Sequence, residues 1–339
     1  MKKPLRSALW AAIGMLILIL DTKTAIYAGV DGIKLCIVTV VPALFPFFLL
    51  SNLLNSGLLG YSGKAFGWLG RILRIPRGSE VLFLVGILGG YPTGAKAVAD
   101  AYDNNAVSLN CARRMLGFCS NAGPSFLFGI VGSFFTSKVT VFALWLIHIF
   151  SAICVGFSLL QCNEETKERI KGVTLNLPQA LKNSIQTMAH VCGWILIFRI
   201  VFSYCSRWIL WLLPPELQLL LQGALELTLG CTGLDLLGNE AMRFFVASIF
   251  LAFGGICVAM QTASITERIG MGMYLPGKAL QSLYSAILSV LYLIFTENLT
   301  CGLIFSVVSI VILCLFVVCI AFVSAGFKKR GGNFVKAGV

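Results

Sequence analysis

Apolar residues fall in long runs separated by short polar or basic stretches. The runs lie at about 7–27, 35–60, 81–102, 114–135, 139–161, 184–213, 216–238, 244–265, 275–296 and 299–326. No Asp, Glu, Lys or Arg occurs from Leu35 to Gly63, from 139 to 163, or from 299 to 327. Each of those stretches exceeds the roughly 20 residues that a helix needs to cross a hydrocarbon core of about 30 Å. In that core every backbone group must find its partner within the protein, so the runs predict α-helices. Run 216–238 is the weakest and carries Glu226 and Asp235. Residues 63–78, GKAFGWLGRILRIPRG, place basic and apolar residues at helical spacing and predict an amphipathic helix in the membrane interface.

The expected fold is an all-α polytopic membrane protein of about eight to ten spanning segments. Basic residues cluster at Lys2, Lys3 and Arg6, at Lys64, Arg71, Arg74 and Arg77, and at Lys328, Lys329 and Arg330. That bias places both ends in the cytoplasm. The chain divides into an N-terminal span (1–30), a first repeat (31–161), a polar linker (162–183), a second repeat (184–326) and a basic tail (327–339). Gly89-Gly90 and Gly254-Gly255 stand 165 residues apart, and at that offset Lys96 falls on Gln261, Val81 on Val246, Arg113 on Lys278 and Ser120 on Ser285. The match predicts an internal, inverted repeat with two broken or re-entrant helical hairpins.

Composition narrows the function. Of 339 residues 58% are hydrophobic and 12% charged, about half the charged fraction of a soluble domain. The net charge of +12 is dispersed over loops, which excludes a nucleic-acid patch. Twelve cysteines without a CxxC pair, and two histidines, His148 and His190, provide no zinc or redox set, and no cofactor is expected. No nucleophile–base pair or paired carboxylates point to an enzyme. The N-terminus resembles a signal peptide without a clean cleavage site and reads as an uncleaved first span.

GGYPTGAK, residues 89–96, comes near to a phosphate loop, but its lysine arrives one place late and Ala97 replaces the Ser/Thr. Nucleotide hydrolysis is rejected. The apolar stretches on either side are each only ~12 Å long as helices. Gly89, Gly90, Pro92 and Gly94 therefore break a helix inside the membrane, with Thr93 and Lys96 opening its second half. A half-helix N-terminus with a lysine suits a carboxylate or phosphate. The competing reading pairs Lys96 with Asp100 one turn on. FCSNAGPSF, residues 118–126, brings a second break at Gly123-Pro124, with Ser120, Asn121 and Ser125 around it. It reads as part of a shared pocket or as a proline kink served by its own serines. In the second half Gly254-Gly255 and Gln261 would form a neutral half-site. Glu226 either carries a coupling proton or sodium ion or faces water on an interfacial helix. Arg113 and Arg114 read as interfacial anchors, and Arg199 as a snorkelling residue or a second counter-charge.

VPALFPFFLLSNLL (41–54), GGYPTGAKAVADAY (89–102), SLNCARRMLGFCSNAGPSFLFGIVG (108–132) and FGGICVAMQT (253–262) resemble the sporulation integral membrane protein (YlbJ-type) family of endospore-forming bacteria. The resemblance runs from about residue 30 to 325. Where the family has Asn-Asn before Gly-Pro, this chain has Ser120-Asn121-Ala122. The resemblance implies nucleoside-recognition (Gate) domains related to concentrative nucleoside transporters. It also implies transport of dipicolinic acid, a pyridine with two carboxylates, across the outer forespore membrane. Lys96 and the half-helix N-termini would hold such a small-molecule anion. A nucleoside transporter and a non-transporting spore-envelope scaffold are the alternatives.

Overall fold

The computed structural model describes residues 3–58, 66–159 and 175–296, and every regular element in them is helical. Helix α1 is Lys3–Leu20 and α2 is Thr22–Leu35; a π-helical turn, Cys36–Val40, runs into α3, Val41–Leu58. The short α4, Gly67–Leu73, precedes α5, Glu80–Gly89, and α6, Thr93–Asp103. Then come α7, Leu109–Cys119, α8, Pro124–Gly129, and α9, Lys138–Ser158. The second half holds α10, Leu177–Trp208, α11, Pro215–Leu225, α12, Leu227–Thr232, α13, Glu240–Phe253, α14, Gly255–Ile265, and α15, Tyr274–Phe295. Residues 59–65, most of the 162–183 linker, the 299–326 run and the basic tail lie outside the described residues.

Among the described residues, five stretches are long and apolar enough to cross a bilayer: Thr22–Gly57, Lys138–Ser158, Leu177–Trp208, Glu240–Ile265 and Tyr274–Phe295. Large apolar side chains such as Ile19, Val139, Phe150 and Ile185 are more than half exposed on the outer surface. So wide an apolar exterior belongs in lipid, not in water. The protein is an integral membrane protein. Glu240–Ile265 is the central stretch, 78% buried, whereas Thr22–Gly57 is peripheral at 22%.

Two of the apolar runs fold back instead of crossing. Run 81–102 becomes a hairpin of α5 and α6, whose arms touch at Gly86 and Gly94; a Cβ on Gly94 would sit 2.8 Å from the Gly86 Cα and would collide with the Cys119 carbonyl oxygen. Run 216–238 becomes a second hairpin, α11 and α12, closed by Gly223 against Gly230. Backbones approach this closely only where side chains are absent. Runs 114–135 and 244–265 form broken segments, α7–α8 and α13–α14, each followed by an unbroken helix, α9 or α15.

Each half therefore has the order hairpin, broken segment, unbroken helix. This order differs from the one that the 165-residue offset implies. Gly89-Gly90 stands at a hairpin apex, while Gly254-Gly255 interrupts a central segment, with α13 and α14 not packed back on each other. The structural counterpart of Gly254-Gly255 is the 120–123 break, and that of Gly90-Tyr91-Pro92 is the apex at Glu226. A Gly pair serves either kind of break, so matching glycines alone paired unlike elements.

Arg114 was expected at the interface and is buried instead, 4% exposed. Its guanidinium donates to the Leu73 and Arg74 carbonyls at the end of α4 and to Gly156 and Leu159 at the end of α9. A cation with several donors suits two converging helix C-termini. Arg113 donates to Ile269 O at 2.9 Å and ties the loop before α15 to α7.

The hairpin closure is testable by melting in detergent. Gly94→Val is expected to cost about 1–3 kcal/mol or more by overpacking against Gly86 and Cys119. Gly193→Val, where a Cβ meets nothing within 4 Å, is expected to stay within about 0.5 kcal/mol of the native chain.

Candidate functional site

Each hairpin apex packs on the break of its own half. A Cβ on Gly90 would lie 2.8 Å from the Gly123 nitrogen; one on Gly255 would lie 3.2 Å from the Gly223 and Leu225 carbonyl oxygens and 3.3 Å from the Glu226 nitrogen. Gly90, at φ +78°, and Gly254 and Gly255, both at φ +79°, adopt a conformation that side chains resist.

Tyr91 joins the halves. Its hydroxyl donates to Leu251 O at 3.1 Å and Ala252 O at 3.3 Å, the last turn of α13 before the second break. Its ring covers Gly254, and the Tyr91–Pro92 peptide is cis. The two Gly-Gly segments thus meet in space, through a residue that sequence reasoning had passed over between Gly90 and Pro92.

The cation at this junction is Lys278 of α15, which is fully buried. Its Nζ donates to Tyr91 Oη at 3.1 Å, to Ser120 O and to Gln281 Oε1. Gln281 Nε2 donates to Asn121 Oδ1 at 3.0 Å and to His148 O at 3.4 Å; Asn121 Nδ2 donates to Phe118 O at 2.8 Å. His148 Nε2 accepts from Ala122 N at 3.0 Å. One network thus serves the end of α7, the break and α9. Lys278 forms no ion pair with a described residue, although an unpaired charge in such a place is costly.

Lys96 takes the other course weighed from sequence. It pairs with Asp100 at 3.4 Å, one turn along α6, with both side chains partly exposed. Among the other expected residues, Gly89 abuts Ser51, and Gly94 abuts Cys119 and Gly86. Pro124 opens α8 at its first turn. The hydroxyls of Thr93, Ser120 and Ser125 are buried without a hydrogen-bond partner among the described residues.

Glu226 is 2% exposed, which removes the reading of an interfacial acid facing water. At the apex of the second hairpin it caps α12, accepting from Thr228 N at 2.9 Å and Leu229 N at 2.7 Å. It lines a cavity of about 40 Å³ together with Tyr91, Gly123, Thr228 and Gln261. Gln261 Nε2 reaches Cys257 Sγ at 3.4 Å.

Lys278 and Gln281 escaped sequence reasoning because Lys278 opens an apolar run, where a lysine usually snorkels. A signal was present. Lys278, Gln281, Ser282, Ser285 and Ser289 recur at helical spacing, and all are buried. In a membrane segment a polar stripe marks the face turned inward.

The chain is similar to the sporulation integral membrane protein YlbJ of Bacillus subtilis (strain 168), 26% identical over an alignment 311 positions long that covers 77% of this chain and 75% of that protein. No protein-family model matches it, and no solved structure does.

Removing one member of the network leaves Lys278 short of an acceptor. Gln281→Leu is expected to destabilise by about 1–3 kcal/mol. The double change Lys278→Met with Gln281→Leu is expected to cost less than Gln281→Leu alone, because both polar partners leave together. A double-mutant cycle by melting in detergent measures the difference.

Proposed function

We propose that the chain is a membrane transporter of a small organic anion, acting in sporulation, with Lys278 as the positive charge that receives the substrate. One observation carries the reading: a fully buried lysine at the meeting point of both halves, with no acid among the described residues paired to it. Intramembrane ionisable groups of this kind mark substrate pathways, and broken helices at a repeat junction are the setting in which transporters place their sites. The sporulation role is taken from the name of the relative, and dipicolinic acid is proposed as the substrate because the resemblance read from the sequence implies it. Its carboxylates match Lys278, and the amide side chains of Asn121 and Gln281 match a ring nitrogen or a second carboxylate. The adjoining cavity, about 40 Å³, has room for a few waters at ~10–15 Å³ each. Substrate entry therefore requires the apex and break to separate, and the arrangement described is a closed state of the cycle.

Uptake of radiolabelled dipicolinate into proteoliposomes tests the reading. Replacing Lys278 by Gln removes a charge-assisted contact of about 1.5–3 kcal/mol, so uptake should fall about tenfold or more. Lys96→Gln should leave it within about threefold. Equal loss in both variants would return the site to Lys96. Uptake of uridine but not of dipicolinate would favour a nucleoside transporter, and no uptake of either would favour a scaffold.

A further inference from the structure

The second apex carries a charge of the opposite sign. Glu226 is buried, and it forms no ion pair with a described residue. Both of its oxygens accept backbone N–H groups, which hold the carboxylate in one orientation, and the Thr228 side chain stands in hydrogen-bonding reach of it. The cavity it lines is small and mostly apolar, with Gln261, Thr228 and Tyr91 as the other polar side chains in its wall. Backbone oxygens stand near as well: those of Gly223 and Leu225 lie against Gly255 beside the same apex. The titratable neighbours that interact with Glu226 are Cys36, Cys231 and Cys257, and Arg199 of α10 acts on it electrostatically without pairing. A carboxylate with an amide and hydroxyl groups in the wall of a space of a few waters is a site for a small monovalent cation, the hard-oxygen chemistry that hydronium and sodium share.

Tyr91 touches both charges' surroundings. Its hydroxyl receives the Lys278 ammonium at 3.1 Å, and the same residue walls the Glu226 cavity. One cation, Lys278, thus stands against the first apex and one anion, Glu226, at the second, neither in an ion pair with a described residue, and a single side chain lies between them.

We propose that the Glu226 cavity binds a monovalent cation, a proton or a sodium ion, and that its occupancy is coupled through Tyr91 to anion binding at Lys278. The cation half of this inference stands on its own; the coupling half rests on the anion-transport reading. A cation at Glu226 and an anion at Lys278 neutralise both buried charges in one closed state, which makes movement of the pair favoured over movement of either alone.

The test uses the full chain in proteoliposomes and in detergent. Dipicolinate accumulation is measured under an inward proton gradient, an inward sodium gradient and no gradient, alongside dipicolinate exchange at equal concentrations on both sides. One of the two gradients should drive accumulation in the native chain and so name the ion. In Glu226→Gln the ratio of gradient-driven accumulation to exchange should fall at least tenfold, and Glu226→Asp should restore part of it. Tyr91→Phe should lower the same ratio while cation binding persists. Cation binding is read separately, as the shift in melting temperature between sodium and choline chloride and between pH 5.5 and 8. The native chain should show one of these shifts, and Glu226→Gln should lose it. Exchange in the native chain with no response to either gradient and no melting shift would overturn the cation site while leaving the anion transporter. A melting shift lost in Glu226→Gln, without any dipicolinate movement, would keep the cation site and overturn the anion reading.

Discussion

Backbone polar groups exposed by a broken helix cannot turn to water inside a bilayer, and each must be met from within the protein. Most of the buried polar side chains described above answer that demand. Tyr91 serves the carbonyls of Leu251 and Ala252 at the end of α13, and Asn121 and Lys278 serve those of Phe118 and Ser120 at the end of α7. At the opposite polarity, Glu226 takes the N–H groups of Thr228 and Leu229, and His148 takes that of Ala122. The signs agree with the helix dipole: the lysine stands at a C-terminus and the glutamate at an N-terminus. The dipoles offset part of the cost of burying these two charges, neither of which has an ion-pair partner among the described residues.

Such caps work only if the breaks lie side by side, and glycine sets that distance. Gly86 against Gly94 and Gly223 against Gly230 draw each hairpin closed, and Gly90 against Gly123 brings the first apex onto its break. With no hydrophobic drive between helices in lipid, close backbone contact supplies much of the packing energy. The same contacts leave little volume at the junction, so the polar network sits in a tight joint between elements that can separate as units.

Membrane class and broken segments were legible in the sequence because both rest on local chemistry. Uncharged runs beyond about 20 residues announce helices in lipid, and Gly89-Gly90, Gly123-Pro124 and Gly254-Gly255 announce breaks. What folds back was not legible. Runs 81–102 and 244–265 look alike as strings, yet one is a hairpin and the other a broken central segment. The difference lies in whether a glycine eight residues away, Gly86 to Gly94, finds its partner across the turn. The site was half legible for a related reason. Asn121, Ser120 and Gly123 were found through their own break, but Lys278 and Gln281 reach it from more than 150 residues away, and only their spacing along one helical face hints at it. Tyr91 shows no polarity pattern at all; its role comes from where the hairpin apex points.

Capping explains why polar groups are present but not why two of them are charged. At several other helix ends neutral side chains suffice: Ser108, Ser137, Asn176 and Asn239 cap α7, α9, α10 and α13, and the neutral Asn121 and Tyr91 meet buried C-terminal carbonyls, although the buried Arg114 takes such carbonyls with a charge. Burying an ionised group costs several kcal/mol more than burying an amide or hydroxyl, so capping alone selects against lysine at 278 and glutamate at 226. A ligand that brings the opposite charge removes that penalty for part of the cycle. On the proposed reading, the charges of Lys278, beside the first apex, and of Glu226, at the second, are what separate a transport site from a well-satisfied joint. They also make the neutral variants informative: replacing either residue by Gln keeps hydrogen-bonding capacity and removes only the charge.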